Sequence, residues 1–346
     1  MKTLVVEKDC SMHLQEVNVP KVNEWQALVK VIANGMCGTD VKICHHAFKG
    51  VGINQYPLMQ GHEGVGEIVE VGSKVKNLKV GDWVTLPFVN ADESLNPGLG
   101  SGWGACSEYG IVWDKDAPMG PPEKYAQCII PKELDPVDAI MIITFREVYS
   151  TIKFFGVKPE DTILVMGCGP VGLTYIKLMH LMGIKNIMAC DIVPEKLEQA
   201  KKNGAAIVFD SSKCDLSEEV HKVYPEGLDY VLDAIGKIDV PTMAMPLIKD
   251  RGAVLCYGVP AEQTVTIDFS KADYNWRVVY QQMPRKDEEG AAHEQIVNWM
   301  LDGTLNPKEF ISDYFPMKDA VKAYELMLDR KLMKKGVIII DEKYNK

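Results

Sequence analysis

The sequence predicts an α/β protein in which a β-rich module is followed by a doubly wound domain with a parallel sheet. The first third alternates short β-prone runs with Gly and Pro, among them TLVVE, ALVKVIA and GEIVEVG. From about Asp161 the pattern becomes an apolar run, a glycine turn and a helical run, repeated. After about Lys286 come two amphipathic stretches, HEQIVNWMLDG and KDAVKAYELMLDRK, and a last apolar run, GVIII.

These changes divide the chain into residues 1–152, 153–287 and 288–346, the last segment returning to complete the first domain. In the middle part YVLDAIG, GAVLCYG and RVVYQQ are apolar and β-prone, as strands buried on both faces of a parallel sheet must be. RVVYQQ comes last and is expected at the sheet edge. An apolar edge strand leaves backbone groups unpaired, which favours a homodimer or homotetramer.

Composition narrows the class of protein. A chain of 346 residues is long enough for two domains, and its net charge of −10 argues against nucleic acid or an acidic membrane as a partner. No run approaches the roughly 18 apolar residues of a membrane span, and the N-terminus lacks a signal-peptide pattern. The nine cysteines are scattered and odd in number, which indicates reduced thiols and a cytoplasmic protein.

A glycine motif points to a dinucleotide. In TILVMGCGPVG, Gly167, Gly169 and Gly172 form G-x-G-x-x-G between a strand-like run and a helical run, with Pro170 and Val171 inside the motif. The first glycine makes the turn, the second admits pyrophosphate, and the third lets helix approach strand. The helix N-terminus then offers amide donors to the phosphates. Alone, the motif could also be a flexible turn.

Asp191 strengthens this interpretation. It ends the apolar run NIMACD, 19 residues after Gly172, where a carboxylate could accept both ribose hydroxyls. Because a carboxylate repels a 2′-phosphate, NAD is favoured over NADP. The alternative is a helix-capping Asp.

A second constellation is suited to a metal. His62 lies 25 residues after Cys37 and is followed by Glu63. A thiolate and an imidazole are ligands that zinc prefers, and catalytic zinc keeps one position open for substrate. Taken singly, such residues are more often packed in a core.

Four motifs, in this order and spacing, resemble the zinc-dependent medium-chain dehydrogenase/reductase family, which includes alcohol, sorbitol and threonine dehydrogenases: GMCGTD, GHEGVGEIVEVGSKV, VGDWV and GCGPVG. The resemblance spans nearly the whole chain. It implies a GroES-like catalytic domain, closed by the C-terminal segment, a Rossmann NAD-binding domain, and an active site in the cleft between them. It also implies Cys37 and His62 as zinc ligands, with Glu63 as an acid beside the metal that can also ligate it.

The chain departs from the family pattern twice. Where relatives hold a structural zinc with four closely spaced cysteines, this chain has only Cys106, so one catalytic zinc and no structural zinc are expected. The family's third ligand falls on Ile143, which cannot bind zinc. Glu147 lies one helical turn further on and is expected either to replace that ligand or to act as an acid/base against the nicotinamide. The alternative for Glu147 is an ordinary salt bridge.

The resemblance also assigns roles in proton transfer. Thr39 occupies the position of a Ser or Thr hydroxyl that accepts the substrate proton and passes it on through the cofactor ribose. Several relatives have the next relay histidine at the position of Lys42. Here the histidines are His45 and His46, of which His45 is the candidate, and both could equally be solvated loop residues.

Further cofactor contacts follow from the same resemblance. GAVLCYGVP is similar to the strand whose end meets the carboxamide, so Gly258 and Val259 are expected near the nicotinamide. Lys196 lies where relatives keep a basic residue near the adenosine.

Together these features predict a zinc- and NAD-dependent oxidoreductase of a secondary alcohol or ketone, either a polyol or a bulkier cyclic alcohol such as a hydroxysteroid. The bulkier option depends on four aromatic residues that could line an apolar pocket, Tyr56, Phe88, Trp103 and Phe145. Two alternatives remain open. One is a zinc-independent NAD(P)H reductase of the same superfamily, and the other is a non-catalytic NAD-binding sensor, motivated by Ile143.

Overall fold

The computed structural model describes residues 1–260, 262 and 264–346. Its strands are β1 (Lys2–Val6), β2 (Met12–Glu16), β3 (Gln26–Gly35), β4 (Leu58–Met59), β5 (Glu63–Val71), β6 (Trp83–Thr85), β7 (Gly100–Ser101), β8 (Tyr109–Trp113), β9 (Ile129–Ile130), β10 (Thr162–Met166), β11 (Asn186–Asp191), β12 (Ile207–Asp210), β13 (Leu228–Asp233), β14 (Ile248–Cys256), β15 (Arg277–Tyr280), β16 (Ile311–Pro316) and β17 (Lys335–Ile339). Its α-helices are α1 (Gly38–Cys44), α2 (Met141–Phe155), α3 (Pro170–Leu181), α4 (Pro194–Lys202), α5 (Leu216–Val223), α6 (Val240–Ala244), α7 (Lys286–Leu301) and α8 (Ala320–Leu328).

The chain divides into two compact units. The first contains Met1–Arg146 and Arg285–Lys346, and the second contains Glu147–Pro284. One boundary falls inside α2, between residues 146 and 147, and the other falls just before α7, between residues 284 and 285. The sequence placed these boundaries a few residues later, after residues 152 and 287.

The first unit is built mainly from antiparallel strands. Within the described residues, one sheet has the order β16-β17-β3-β5-β6-β9, with β8 also paired to β3, and another has the order β2-β1-β4-β7. The long strand β3 is the centre of this unit: nine of its ten residues are buried, and it pairs with β17, β5 and β8. The run GVIII lies in β17, antiparallel to β3 with Val337 opposite Gly35, so the C-terminal segment adds a strand to the sheet of the first unit.

The second unit is the doubly wound domain that the sequence predicts. Its described strands form a parallel sheet in the order β12-β11-β10-β13-β14-β15. Ile163, Leu164 and Val165 in β10 are fully buried, which explains why the centre of this strand is apolar. The strand order reverses between β10 and β13, and the carboxyl ends of the strands on either side of such a point form a ligand crevice. RVVYQQ provides the edge strand β15, as expected.

Both amphipathic stretches of the C-terminal segment are helical. α7 begins with Asp287, Glu288 and Glu289 in its first turn, where negative charge is stabilised by the helix dipole. α8 buries Ala320, Ala323 and Tyr324 against the apolar core of the first unit. In the described part of the chain, no helix combines the length and the apolar character that crossing a membrane requires.

Candidate active site

Three predicted metal ligands lie together in the first unit. One donor atom each from Cys37, His62 and Glu63 can be chosen so that all lie within 4.8 Å of one another. Cys37 lies between the end of β3 and the start of α1, and His62 immediately precedes β5. Glu63, the first residue of β5, pairs with Gly35 of β3. A Cβ on Gly35 would lie 2.5 Å from a carboxylate oxygen of Glu63, so glycine leaves room for that side chain.

Asp40 orients the histidine from a fully buried position. One of its carboxylate oxygens lies 2.9 Å from His62 Nδ1, and the other accepts hydrogen bonds from the Cys37 amide and the Tyr324 hydroxyl, each at 3.0 Å. This arrangement leaves Nε2 of His62 for a metal, the usual division of labour in carboxylate–histidine–zinc sites. Burial by itself lowers the pKa of His62, but the negative charges of Asp40 and Cys37 outweigh burial and raise that pKa well above its ordinary value.

Glu63 has two further partners that sequence reasoning did not identify. Lys335, at the start of β17, forms a buried ion pair with one oxygen of the Glu63 carboxylate. The Thr144 hydroxyl donates to the other oxygen at 3.3 Å. Burial by itself lowers the pKa of Lys335, but Glu63 and Cys37 raise it above the ordinary value, so the ammonium stays charged. The signal in the sequence was a lysine at the entry of an otherwise apolar strand.

The turn of α2 that lacks the family's ligand is part of this environment. Ile143 is buried and offers no donor, while the adjacent Thr144 contacts Glu63. The residues present therefore fit a zinc ion held by sulfur, nitrogen and carboxylate oxygen.

Glu147 makes its described contact with a residue of the second unit. It begins the second unit, and the group of potential metal ligands found among the described residues does not include it. Its carboxylate accepts a hydrogen bond of 2.6 Å from the Tyr257 hydroxyl. The Tyr257 ring packs against the buried ring of Tyr175, with ring centres 5.2 Å apart. Sequence reasoning missed Tyr257, although it directly precedes Gly258.

The residues predicted for proton transfer lie on or next to α1. Thr39 is half-buried in the first turn of the helix, two residues after Cys37, and His45 is exposed at its C-terminal end. His46 lies 2.9 Å from the Lys8 carbonyl through Nε2, and its ring packs edge-on against Tyr56. Their catalytic roles stay predictions.

The glycine motif has the geometry that a dinucleotide requires. Gly167 has a φ of +94°, which favours glycine, and a Cβ on Gly172 would lie 1.9 Å from the Gly167 carbonyl oxygen. A Cβ on Gly169 would meet nothing within 4 Å, so the space in front of the α3 N-terminus is open. Pro170 and Val171 form the first turn of α3, beside that open space. This cradle fits the pyrophosphate of NAD.

The remaining predicted cofactor residues lie at or just beyond the carboxyl ends of strands. Asp191 ends β11, and its carboxylate accepts hydrogen bonds from the backbone amides of Cys168, Ile192 and Val193 at 2.8–3.0 Å. Lys196 follows in α4. Gly258 and Val259 come just after β14. A Cβ on Gly258 would lie 2.2 Å from the Gly236 nitrogen, so glycine at this position allows the backbone segments that follow β13 and β14 to approach each other closely.

A cavity of about 580 Å³ in the first unit is lined by three of the four aromatic residues singled out from the sequence, Tyr56, Phe88 and Trp103. The Trp103 ring lies 5.4 Å from the His62 ring, centre to centre, so one residue of the cavity lining packs against the candidate metal site. Phe145 is instead fully buried and packs edge-on against Phe310 in the core. Its position in an apolar helix gave no means of separating a core residue from a cavity residue.

Comparisons with known proteins agree with this geometry. Residues 23–120 match the family described as alcohol dehydrogenase GroES-like domain, and residues 170–287 match the family described as zinc-binding dehydrogenase. The chain is 32% identical to an alcohol dehydrogenase of Geobacillus stearothermophilus, over 75% of this chain and 78% of that protein. It is 26% identical to the sorbitol dehydrogenase of Bacillus subtilis, over 96% and 94%. Among solved structures, the alcohol dehydrogenase TADH from Thermus sp. ATN1 superposes with a TM-score of 0.82 at 25% identity, covering 98% of this chain and 100% of that one.

Proposed function

Since the chain belongs to the zinc-type medium-chain alcohol dehydrogenase family, with zinc and NAD as its cofactors, we propose that it interconverts a secondary alcohol and a ketone at the site of Cys37, His62 and Glu63. The observation that carries this proposal is the approach of one donor atom from each of these side chains to within 4.8 Å. When bound, zinc supplies a Lewis acid and NAD⁺ supplies the hydride acceptor.

The chain's own residues divide the remaining tasks. Asp40 holds the His62 ring so that Nε2 faces the metal. Glu63 is the third ligand, because Ile143 has no donor atom, and Lys335 balances its charge. The Thr39 hydroxyl takes the proton of the substrate hydroxyl as it gives up its own towards the cofactor ribose, and His45 is the candidate for passing that proton to solvent.

The cofactor is held by the second unit. Gly167, Gly169 and Gly172 shape the space for pyrophosphate, with Pro170 and Val171 in the first turn of α3. The Asp191 carboxylate selects the ribose hydroxyls of NAD over the 2′-phosphate of NADP, and Lys196 lies nearby in α4. Gly258 and Val259 meet the nicotinamide end.

Glu147 is an acid of the NAD-binding unit whose carboxylate is held by Tyr257. This hydrogen bond supports a catalytic or positioning role rather than metal ligation.

The substrate is a secondary alcohol, either a polyol or a cyclic alcohol. The apolar edge strand β15 supports assembly of copies into a dimer or tetramer.

Zinc content and NAD-linked turnover of a panel of secondary alcohols test the proposal together. Wild type and Glu147→Ala are expected to bind about one zinc per chain, whereas Cys37→Ser loses the metal and the activity. Loss of zinc in Glu147→Ala would instead show that Glu147 provides the ligand that Ile143 cannot provide. Turnover without zinc would indicate the zinc-independent reductase, and NAD binding without turnover of any alcohol would indicate the sensor.

A further inference from the structure

The cavity beside the metal site carries information about the substrate. All of its lining residues belong to the first unit, and one of them is Trp103, whose ring lies 5.4 Å from the His62 ring, centre to centre. An alcohol that binds at the metal site and is long enough to pass along Trp103 would reach this cavity. What lines the cavity decides which groups that extension can carry.

Aromatic surface is the first feature of the lining. Trp103, Trp113 and Phe88 contribute to it, each only partly buried, so their rings border open space. Tyr56 contributes its ring, while its hydroxyl is already bonded to the Ile43 carbonyl at 2.5 Å. Aromatic faces attract flat apolar groups and also organic cations, because the face of the ring carries negative electrostatic potential.

Charge is the second feature. The lining contains two acids, Glu93 and Glu123, and among the described residues that line it there is no Lys or Arg. One oxygen of Glu93 accepts the Gly98 amide at 3.1 Å. For Glu123 no side-chain hydrogen bond or ion pair occurs with any residue in the described part of the chain. Its carboxylate is thus available to a ligand.

Neither Lys124 nor Arg146 is part of the cavity lining. Lys124 follows Glu123, but its ammonium binds the Ala117 carbonyl at 2.5 Å. Arg146 is fully buried, where it contacts Thr85 and His293. Recognition of a phosphate or carboxylate requires convergent Arg or Lys donors, and this cavity offers none.

From the combination of aromatic faces, a free carboxylate and the absence of a lining cation, we propose that the preferred substrate is an alcohol that carries an ammonium group on an aromatic or cyclic skeleton, with the ammonium near Glu123. This inference rests on the proposed function and specifies its substrate class. It excludes phosphorylated polyols and acidic alcohols as preferred substrates.

Three 1-phenylethanols test this proposal. They share one secondary hydroxyl and one ring, and they differ only in the para substituent, which is an aminomethyl, a methyl or a carboxylate group. For the zinc-loaded wild type, KM for the aminomethyl compound is expected to be about tenfold below that for the methyl compound, which corresponds to one favourable charge contact. The carboxylate compound is expected to have the highest KM. Equal KM values for the aminomethyl and methyl compounds would overturn the proposal.

Glu123→Gln removes the charge and keeps the shape of the side chain. It is expected to raise KM for the aminomethyl compound about tenfold and to leave the methyl compound within twofold. Glu133→Gln is the matched control, because Glu133 is exposed, lies outside the cavity and carries the same charge. An equal effect of Glu123→Gln on both compounds would show that Glu123 acts through structure alone and would reject the proposal.

A binding measurement separates this inference from the proposed function. Two of the six tryptophans, Trp103 and Trp113, line the cavity, so quenching of tryptophan fluorescence by the aminomethyl compound, in protein without NAD, measures binding whether or not turnover occurs. If no alcohol is oxidised, the proposed function fails, while saturable quenching weakened by Glu123→Gln still supports a cation-binding cavity. Absence of quenching together with turnover of the methyl compound would reject the cavity proposal and leave the function intact.

Discussion

Lys335 and Glu63 form an ion pair in which the two residues are only 5% and 2% exposed, and the carboxylate belongs to the candidate zinc site. A buried charge is costly unless it is paired, so each of these groups depends on the other. The pair connects the C-terminal strand β17 to the start of β5. The charge balance of the metal site therefore depends on a residue that lies 272 positions away along the chain.

Replacing Lys335 by Met is expected to destabilise the zinc-free protein by about 3–5 kcal/mol, because Glu63 is left as an uncompensated buried charge. Bound zinc would provide positive charge in its place, so the loss should be smaller in the zinc-loaded protein. Urea unfolding with chelator and with zinc measures both values. Lys30→Met is the control, since Lys30 pairs with Asp341 at 2.7 Å but is half-exposed, and it should cost less than about 1 kcal/mol. Equal losses for Lys335→Met in both metal states would contradict this explanation.

Asp40→Asn is expected to lower zinc affinity about 10- to 100-fold, because the amide cannot hold the His62 ring as the carboxylate does. Competition with a chromogenic chelator measures the affinity. Tyr324→Phe removes only one hydrogen bond to Asp40 and should have a smaller effect. Unchanged affinity in Asp40→Asn would mean that packing alone orients His62.

Two glycine substitutions should separate folding from cofactor binding. A Cβ on Gly172 would collide with the Gly167 carbonyl oxygen, so Gly172→Ala should lower the thermal stability of the protein. A Cβ on Gly169 meets open space, so Gly169→Ala should keep that stability and weaken NADH binding, because the methyl group enters the volume meant for pyrophosphate. Thermal unfolding and NADH fluorescence titration check the two effects. Full NADH affinity in Gly169→Ala would place the pyrophosphate elsewhere.

His293 makes stability depend on pH. Burial and the nearby Arg146 lower its pKa from 6.5 to about 4, and the neutral ring lies 3.3 Å from an Arg146 nitrogen and 2.8 Å from the Ile129 carbonyl. Because the pKa is depressed in the folded state, the unfolded chain binds the proton first. Stability is therefore full above pH 6.5 and falls as the pH drops from there towards 4.

The expected loss from this histidine between pH 7 and pH 5 is on the order of 1–2 kcal/mol. Urea unfolding at the two pH values measures it, and His293→Gln should show a correspondingly smaller loss. If wild type and variant lose the same stability, other groups control the pH dependence.

The sequence by itself determined the architecture and much of the site. Period-two runs, buried apolar runs and a glycine turn are local patterns, and each reports the backbone that its own residues adopt. They were sufficient for the β-rich first unit and the parallel sheet of the second, whereas the grouping of Cys37, His62 and Glu63 was expected from the resemblance to a known family.

Only the tertiary structure decided which distant side chains meet. Lys335 reaches Glu63 because β17 lies beside β3, which in turn pairs with β5, and no local pattern encodes that register. In the same way, the partner of Glu147 is Tyr257, and Phe145 packs in the core while Phe88 and Trp103 line the cavity. The physical reason is that secondary structure depends on near neighbours in sequence, whereas ion pairs, hydrogen bonds and cavity walls depend on how complete elements pack against one another.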